Sequence, residues 1–439
     1  MDMNIKKKDI IICGFALFAI FFGAGNLIFP PYLGVIAGDR WQTATLAFIL
    51  SDPLLPILGV IVTAFIGGHS QDLGKRINPG FAKIIGGIAI LLIGPLFSVP
   101  RTGATTHEIF VQSFFPQAPQ VMTSLIFFGL TLYLALNSSK VIDFIGKYLT
   151  PSLIIILVAV FIAALVNPPA KMVQTSTENL FALSFREGYQ TMDALGASLM
   201  TGIVINDLKR RGYQERQQQL KASIWIGVVA FILLALVYAS LTYAGSTVSA
   251  FYHANTPRTT ILIQMIEQLL GSWGKLAMGL VVALACLTTS TGLTSTCGQF
   301  FEEVSQGKFS YRQIVILTVA IEFIISLLGV DALINIAVPI LSAIYPVVIV
   351  LIFLSIFDRY IIYDWTYLGA VSGAFAIGMI QAIYMFGQMQ GLPLLENLAK
   401  WTYQLPLNQY GFEWVLPSVV TGLLFTAWQI FLQQRPLKS

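Results

Sequence analysis

Charge is the scarcest ingredient of this chain. Lys and Arg number 25 and Asp and Glu 21, so charged residues make up 10% of its 439 residues, against roughly 25% in soluble domains. That is too little polar surface to clothe a water-soluble globule, and the class is excluded. Cysteine and histidine are equally sparse, with three of each. Cys13, Cys286 and Cys297 have no paired spacing and lie in or at the ends of apolar stretches, which makes them packing residues rather than a disulfide or metal framework. His69, His107 and His253 are scattered, which argues against a metalloenzyme. Intramembrane catalysis would need paired aspartates or a Ser/His dyad facing one cavity. Asp52, Asp193 and the histidines fall at unrelated depths, so an enzyme is a remote alternative. Low-complexity tracts and linkers are absent too, the longest polar excursion being 388–414.

Apolar sequence is abundant, at 56% of residues. Nearly charge-free windows of about 20 residues recur, each long enough to cross a hydrocarbon core of about 30 Å. Expected spans lie near 10–37, 42–67, 81–112, 120–137, 148–166, 186–207, 222–245, 271–301, 313–330, 332–356, 365–387 and 415–434. The first follows Lys6, Lys7 and Lys8, as the core of a signal peptide would, but it is too long for one and lacks a small-x-small cleavage site. The expected fold class is an all-α polytopic membrane protein of about 12 transmembrane helices, with one membrane domain over 1–439.

With the N-terminus inside, 18 of the 25 basic residues fall in cytoplasmic segments, including the run KRRGYQERQQQLK from Lys209 to Lys221. That bias predicts a cell (cytoplasmic) membrane protein with both termini cytoplasmic. The net charge of +4 therefore needs no nucleic-acid partner. Trp41, Trp273, Trp365, Trp401 and Trp414 sit near span ends, as interfacial belt residues do. The amphipathic stretch 260–270 reads either as an external lid or as a helix lying at the interface.

Two spans carry interruptions. The first contains Gly23, Ala24, Gly25 and Asn26, then Pro30 and Pro31, which places weak helix formers near mid-membrane. Unpaired peptide groups cost several kcal/mol in lipid, so irregular backbone survives there only where it faces protein, ions or a polar cavity. Small residues alone could serve helix packing, but Asn26 sets an amide beside the glycines and a second interruption recurs at 189–196 in the sixth span. Paired interruptions point to a transporter binding site, here Gly23, Ala24, Gly25 and Asn26 with Thr191, Met192, Asp193, Ala194 and Leu195. Asp193 is costly at that depth and is expected to help hold a cation or an ammonium group. In the eighth span Ala285, Thr288 and Thr289 share one helical face, where two hydroxyls and a carbonyl offer neutral hard oxygens to a monovalent ion. Ordinary back-bonding of threonine to the preceding turn is the plainer alternative. Asp52 precedes Pro53 and could satisfy backbone that the proline frees. Arg101 and Glu108 lie about two helical turns apart and form a possible gate or structural pair. Glu322 has no evident partner.

The runs FFGAGNLIFPP, PRTGATTHE, GYQTMDALGASLMTGIVI and ACLTTSTGLTS, in this order, resemble the branched-chain amino acid type II carriers, the branched-chain amino acid:cation symporter family. The resemblance covers essentially the whole chain. It implies a five-plus-five inverted-repeat core with discontinuous first and sixth helices. The repeats would occupy about 9–166 and 186–356, with two further helices at about 365–434. It also implies import of leucine, isoleucine or valine driven by a sodium ion, with a proton as the alternative coupling ion. By the same resemblance, the Ala24 and Gly25 amides would hold the substrate carboxylate. Carbonyls around Thr191 to Leu195 would accept its ammonium. The sodium ligands would be the carbonyls of Ala19, Phe22 and Ala285 with the hydroxyls of Thr288 and Thr289. No covalent cofactor is expected.

Overall fold

A chain this apolar must satisfy its backbone internally, and helices do so within one segment. The computed structural model describes residues 5–67, 73–137, 140–392, 397 and 400–434, which are helical apart from short connections. His69, Arg435 and Lys438, the side chains of Lys140 and Lys147, and parts of 388–414 lie outside the described residues.

Each of the twelve expected spans returns as helix, alone or in pieces. The first is α1 (Lys7–Phe21) and α2 (Ala24–Ala37), and the second is α3 (Trp41–Ser51) and α4 (Leu54–Ile66). The third is α5 (Pro79–Leu91), a π turn at Leu92–Leu96, α6 (Ser98–Thr106), a second π turn at His107–Val111, and the single turn α7 (Gln112–Phe114). Then come α8 (Gln120–Leu136) and α9 (Lys140–Val166). The sixth span is α10 (Leu180–Glu187), a 3-10 turn at Gly188–Thr191, and α11 (Asp193–Arg210). The remaining six are α12 (Arg216–Ser246), α13 (Arg258–Val304), α14 (Tyr311–Ser326), α15 (Val330–Ile356), α16 (Trp365–Gln390) and α17 (Val415–Gln434). Seven stretches are long and apolar enough to cross a membrane whole; others cross in shorter or jointed pieces.

Burial decides which helices form the centre. Almost every residue of α2 is buried, prolines included. The approach depends on glycine: a Cβ on Gly34 would meet the Thr242 carbonyl, and one on Gly245 would meet the Pro31 carbonyl, so α2 and α12 touch backbone to backbone. At the other extreme α17 turns Val419, Leu423, Leu424 and Trp428 outward, as a lipid-facing helix does. Trp273 and Trp401 are exposed, but Trp414 is 5% exposed and packs beside Phe412, so it is a core residue rather than a belt residue.

Polar contacts tie the two ends of the bundle. On the face carrying the basic loop, Tyr213 accepts from the Lys6 amide at 3.1 Å and donates to Asp9 at 2.8 Å, while Arg211 bridges Asp9 and Asp207. The Tyr213 bond holds the Asp9 carboxyl below its ordinary range. On the opposite face Arg258 pairs with Glu187 at 2.8 Å and stacks 4.1 Å from the Tyr32 ring centroid. The stretch 260–270 ends where Gly271 takes φ +69°, and its Ile261, Leu262, Met265 and Ile266 are buried against the protein.

Candidate functional site

The first interruption opens because Gly23 runs extended, at φ −105° and ψ −170°, between α1 and α2. In an unbroken helix its N–H would close on the Ala19 carbonyl. Instead it donates to the Phe21 carbonyl at 3.0 Å and to Asn26 Oδ1 at 3.1 Å. The Ala19 carbonyl is thus released, Phe22 leaves the helix at ψ +86°, and the first-turn amides of α2, Ala24 and Gly25, have no carbonyl within their own helix. The second interruption is tighter. Met192 alone takes a left-handed conformation, φ +65°, and α11 resumes at Asp193.

Side chains join the two breaks to a third. The second span is interrupted at Asp52, extended at φ −147°, before Pro53. Asn26 Nδ2 donates to Asp193 Oδ2 at 2.9 Å, to Asp52 Oδ2 at 3.2 Å and to the Tyr238 hydroxyl. Asn26, Asp52 and Tyr238 are all buried, and Asp52 Oδ1 has no hydrogen-bond partner among the described residues. Three oxygens surround an amide that carries two hydrogens, and the Tyr238 hydroxyl brings the cluster a further hydrogen of its own.

A cavity of about 280 Å³ lies against these breaks, close to the small end of the roughly 300–1,000 Å³ usual for small-molecule sites. Its wall is mostly apolar, with Phe18, Ile20, Ile93 and Leu153, and polar groups enter at Asn26, Arg101, Asp193, Thr288 and Thr289. Met200, Ile203 and Thr296 also line a vestibule of about 910 Å³ with Lys75, Lys83, Lys209 and Arg216. The cavity therefore continues toward the basic face. Toward the other face lie Phe29 and Tyr32, beneath Arg258.

Comparison with known proteins gives this geometry a context. The chain matches the family described as "Branched-chain amino acid transport protein" over residues 6–432. It is 36% identical to the branched-chain amino acid permease BraB of Bacillus subtilis (strain 168), covering 98% of each chain. The chain belongs to the branched-chain amino acid transport protein family. It is also 32% identical to the permease BrnQ of Escherichia coli (strain K12), over 98% of this chain and 97% of that one. Among solved structures, Mhp1, a nucleobase-cation-symport-1 family transporter in a closed conformation with bromovinylhydantoin bound, superposes with a TM-score of 0.60. Identity to it is 11%, and 97% of this chain and 94% of that chain are covered. MhsT in complex with L-phenylalanine gives a TM-score of 0.58 at 15% identity, covering 96% and 98%. At such identities the likeness is one of fold. The family is one of transporters, not enzymes.

In this transporter the cavity wall carries Gly23, Ala24, Gly25, Asn26, Thr191, Met192 and Asp193 from the two breaks, and Ala19, Phe22, Ala285, Thr288 and Thr289 from the expected ion site. Thr288 donates to the Ala285 carbonyl at 2.9 Å, the back-bond foreseen as the plainer alternative; its oxygen keeps lone pairs for a cation. Ala194 and Leu195 are not on the wall. Because α11 restarts at Asp193, they sit in its first turn and pack into the cluster of Tyr189 and Tyr345.

The expected pairing of Arg101 with Glu108 is not made. Regular helix runs from Arg101 to Thr106 and Glu108 lies inside the π turn at His107–Val111; seven residues put the two about 10.5 Å apart along the axis, and each turns to another span. Arg101 donates to the Gln190 carbonyl at 2.7 Å, while Glu108 accepts from Thr259 at 2.6 Å and from the Val330 amide at 2.9 Å. Glu322 is fully buried and finds a partner in Thr294, at 3.0 Å. Sequence reasoning missed the roles of Asp52, Tyr238 and Gln190. Asp52 and Asp193, expected at unrelated depths, both reach the Asn26 amide because each stands at a helix break. Asp52 carried a signal, an acidic residue before a proline in mid-span; Gln190 lay inside the interruption at 189–196, and Tyr238 carried no signal.

Proposed function

We propose that this chain is a sodium-driven symporter that imports leucine, isoleucine and valine across the cytoplasmic membrane, with both termini cytoplasmic. The observation that carries the reading is that one small cavity collects the released groups of both helix breaks together with the threonine face of α13. The Ala24 and Gly25 amides, at the positive end of α2, suit a carboxylate. Asp193 suits an ammonium group. The carbonyls of Ala19, Phe22 and Ala285 with the hydroxyls of Thr288 and Thr289 suit a hard monovalent cation. An apolar wall suits aliphatic side chains, each buried CH₂ contributing about 0.8 kcal/mol, so the three substrates compete for one site. The likeness of fold to Mhp1 and MhsT fits a core of two inverted five-helix repeats, about 9–166 and 186–356, with α16 and α17 added outside it.

Proton coupling is the second reading, favoured by one observation: Asp52 and Asp193 share a single amide hydrogen-bond donor. Uptake of labelled leucine into liposomes containing only this protein separates the two. Sodium-driven accumulation, competed by isoleucine and valine, supports the sodium site, and Thr289→Ala should then raise the sodium concentration for half-maximal uptake by about tenfold, or about 1.4 kcal/mol. Accumulation driven by a pH gradient alone, or unchanged sodium dependence in that variant, overturns it.

A further inference from the structure

We propose that Arg101 is the substrate-binding residue that reads the α-carboxylate, so that the cavity selects amino acids as zwitterions before it selects their side chains. The proposal rests on reading the cavity as the substrate site. Arg101 is 3% exposed and stands in the cavity wall. Among the described residues its guanidinium makes one hydrogen bond, from Nη1 to the Gln190 carbonyl, and its buried Nε has no acceptor. Among the described residues it forms no ion pair. A buried, unpaired guanidinium is expensive, and intramembrane charge that faces a cavity is functional by default. Asp193 attracts it through space, but among the described residues no anion is hydrogen-bonded to its fork.

The geometry says where that anion would sit. Arg101 Nη2 lies against Gly25: a Cβ there would fall 2.8 Å from it, so glycine leaves the space the guanidinium uses. Gly25 and Ala24 are also the first-turn amides of α2. A carboxylate at the start of α2 would thus meet a planar fork and open backbone amides together, an arrangement suited to two-point recognition. The Arg101 guanidinium is also 5.3 Å from the Phe29 ring centroid, a contact that fixes its plane. Asp193 lines the same cavity without pairing with Arg101, tied instead to Asn26. Opposite charges held apart across one small cavity complement an ammonium and a carboxylate on one carbon. Arg101 also touches the second break through Gln190, so carboxylate binding at the first break would be felt at the second.

Leucine and leucinamide have the same side chain and ammonium and differ in the carboxylate, so they isolate the role. Binding would be measured on purified protein at fixed sodium, by thermal stabilisation and by competition with labelled leucine. Wild type should bind leucine far more tightly than leucinamide. Arg101→Gln should weaken leucine by roughly 10- to 100-fold while leaving leucinamide almost unchanged, so the preference collapses; Arg101→Lys, which keeps the charge and loses the fork, should fall between. If Arg101 only braces the Gln190 carbonyl, both ligands weaken together and the preference survives, which overturns the proposal. Equal competition by leucinamide in wild type also overturns it and needs no variant to fold. A wild type that binds no leucine sinks both this inference and the transport reading beneath it. Tight leucine binding with the expected preference, in a protein whose uptake ignores sodium, removes only the sodium coupling.

Discussion

The two helix breaks solve one problem by different means. Between α1 and α2 the chain runs extended through a glycine and releases backbone groups toward the cavity. Between α10 and α11 a single Met192 turns left-handed and the helix restarts at once. The first break exposes main chain; the second mainly aims side chains and the Gln190 carbonyl. A glycine break supplies hydrogen-bonding groups, and a one-residue reversal supplies direction. Asn26, bonded to Asp193, ties the two.

The largest expected effect comes from removing the charge at one end of that tie. Asp193→Asn should reduce leucine uptake in reconstituted liposomes by at least about tenfold with the protein still folded, because a carboxylate that faces both Asn26 and the cavity becomes a neutral amide. Near wild-type uptake would remove Asp193 from the site. A smaller effect should distinguish the glycines of the first break. Gly25→Ala forces Arg101 to move, whereas a Cβ on Gly23 would meet Asn26 Oδ1 at 3.7 Å and Thr289 Cγ2 at 3.9 Å, ordinary contacts. The KM for leucine should therefore rise more in Gly25→Ala than in Gly23→Ala, and the reverse order would contradict the packing described for Arg101. The smallest effect belongs to the second break. Met192→Gly and Met192→Ala lose the same buried thioether, but only glycine accepts φ +65° without steric cost. The glycine variant should be the more stable by about 1 kcal/mol in detergent melting, and equal stability would deny that the left-handed turn is strained.

The second break also shows the limit of reading the chain alone. The first was legible because two glycines, an asparagine and two prolines crowd one span. At the second the hinge residue is a methionine, which no propensity marks, so its neighbourhood was legible but not its geometry. Assigning Ala194 and Leu195 to the site extended the break by two residues. The Arg101–Glu108 pairing failed for a different reason: two helical turns share a face but separate the residues by about 10.5 Å along the axis, and each finds its partner on another span, which no pattern within one helix reveals.

Composition and hydropathy by themselves determined the membrane, the spans, the location of both breaks and the threonine face of α13, since each of these follows from local chemistry along one segment. Only tertiary structure decided the polar cluster. Asp52, Asp193 and Tyr238 come from three different spans, and they meet at Asn26 because glycine lets α2 pack backbone to backbone against α12 and because Asp52 interrupts its own helix beside them. Which buried charge faces which cavity is a property of helix packing, and packing depends on shape across spans rather than on the pattern within any one of them.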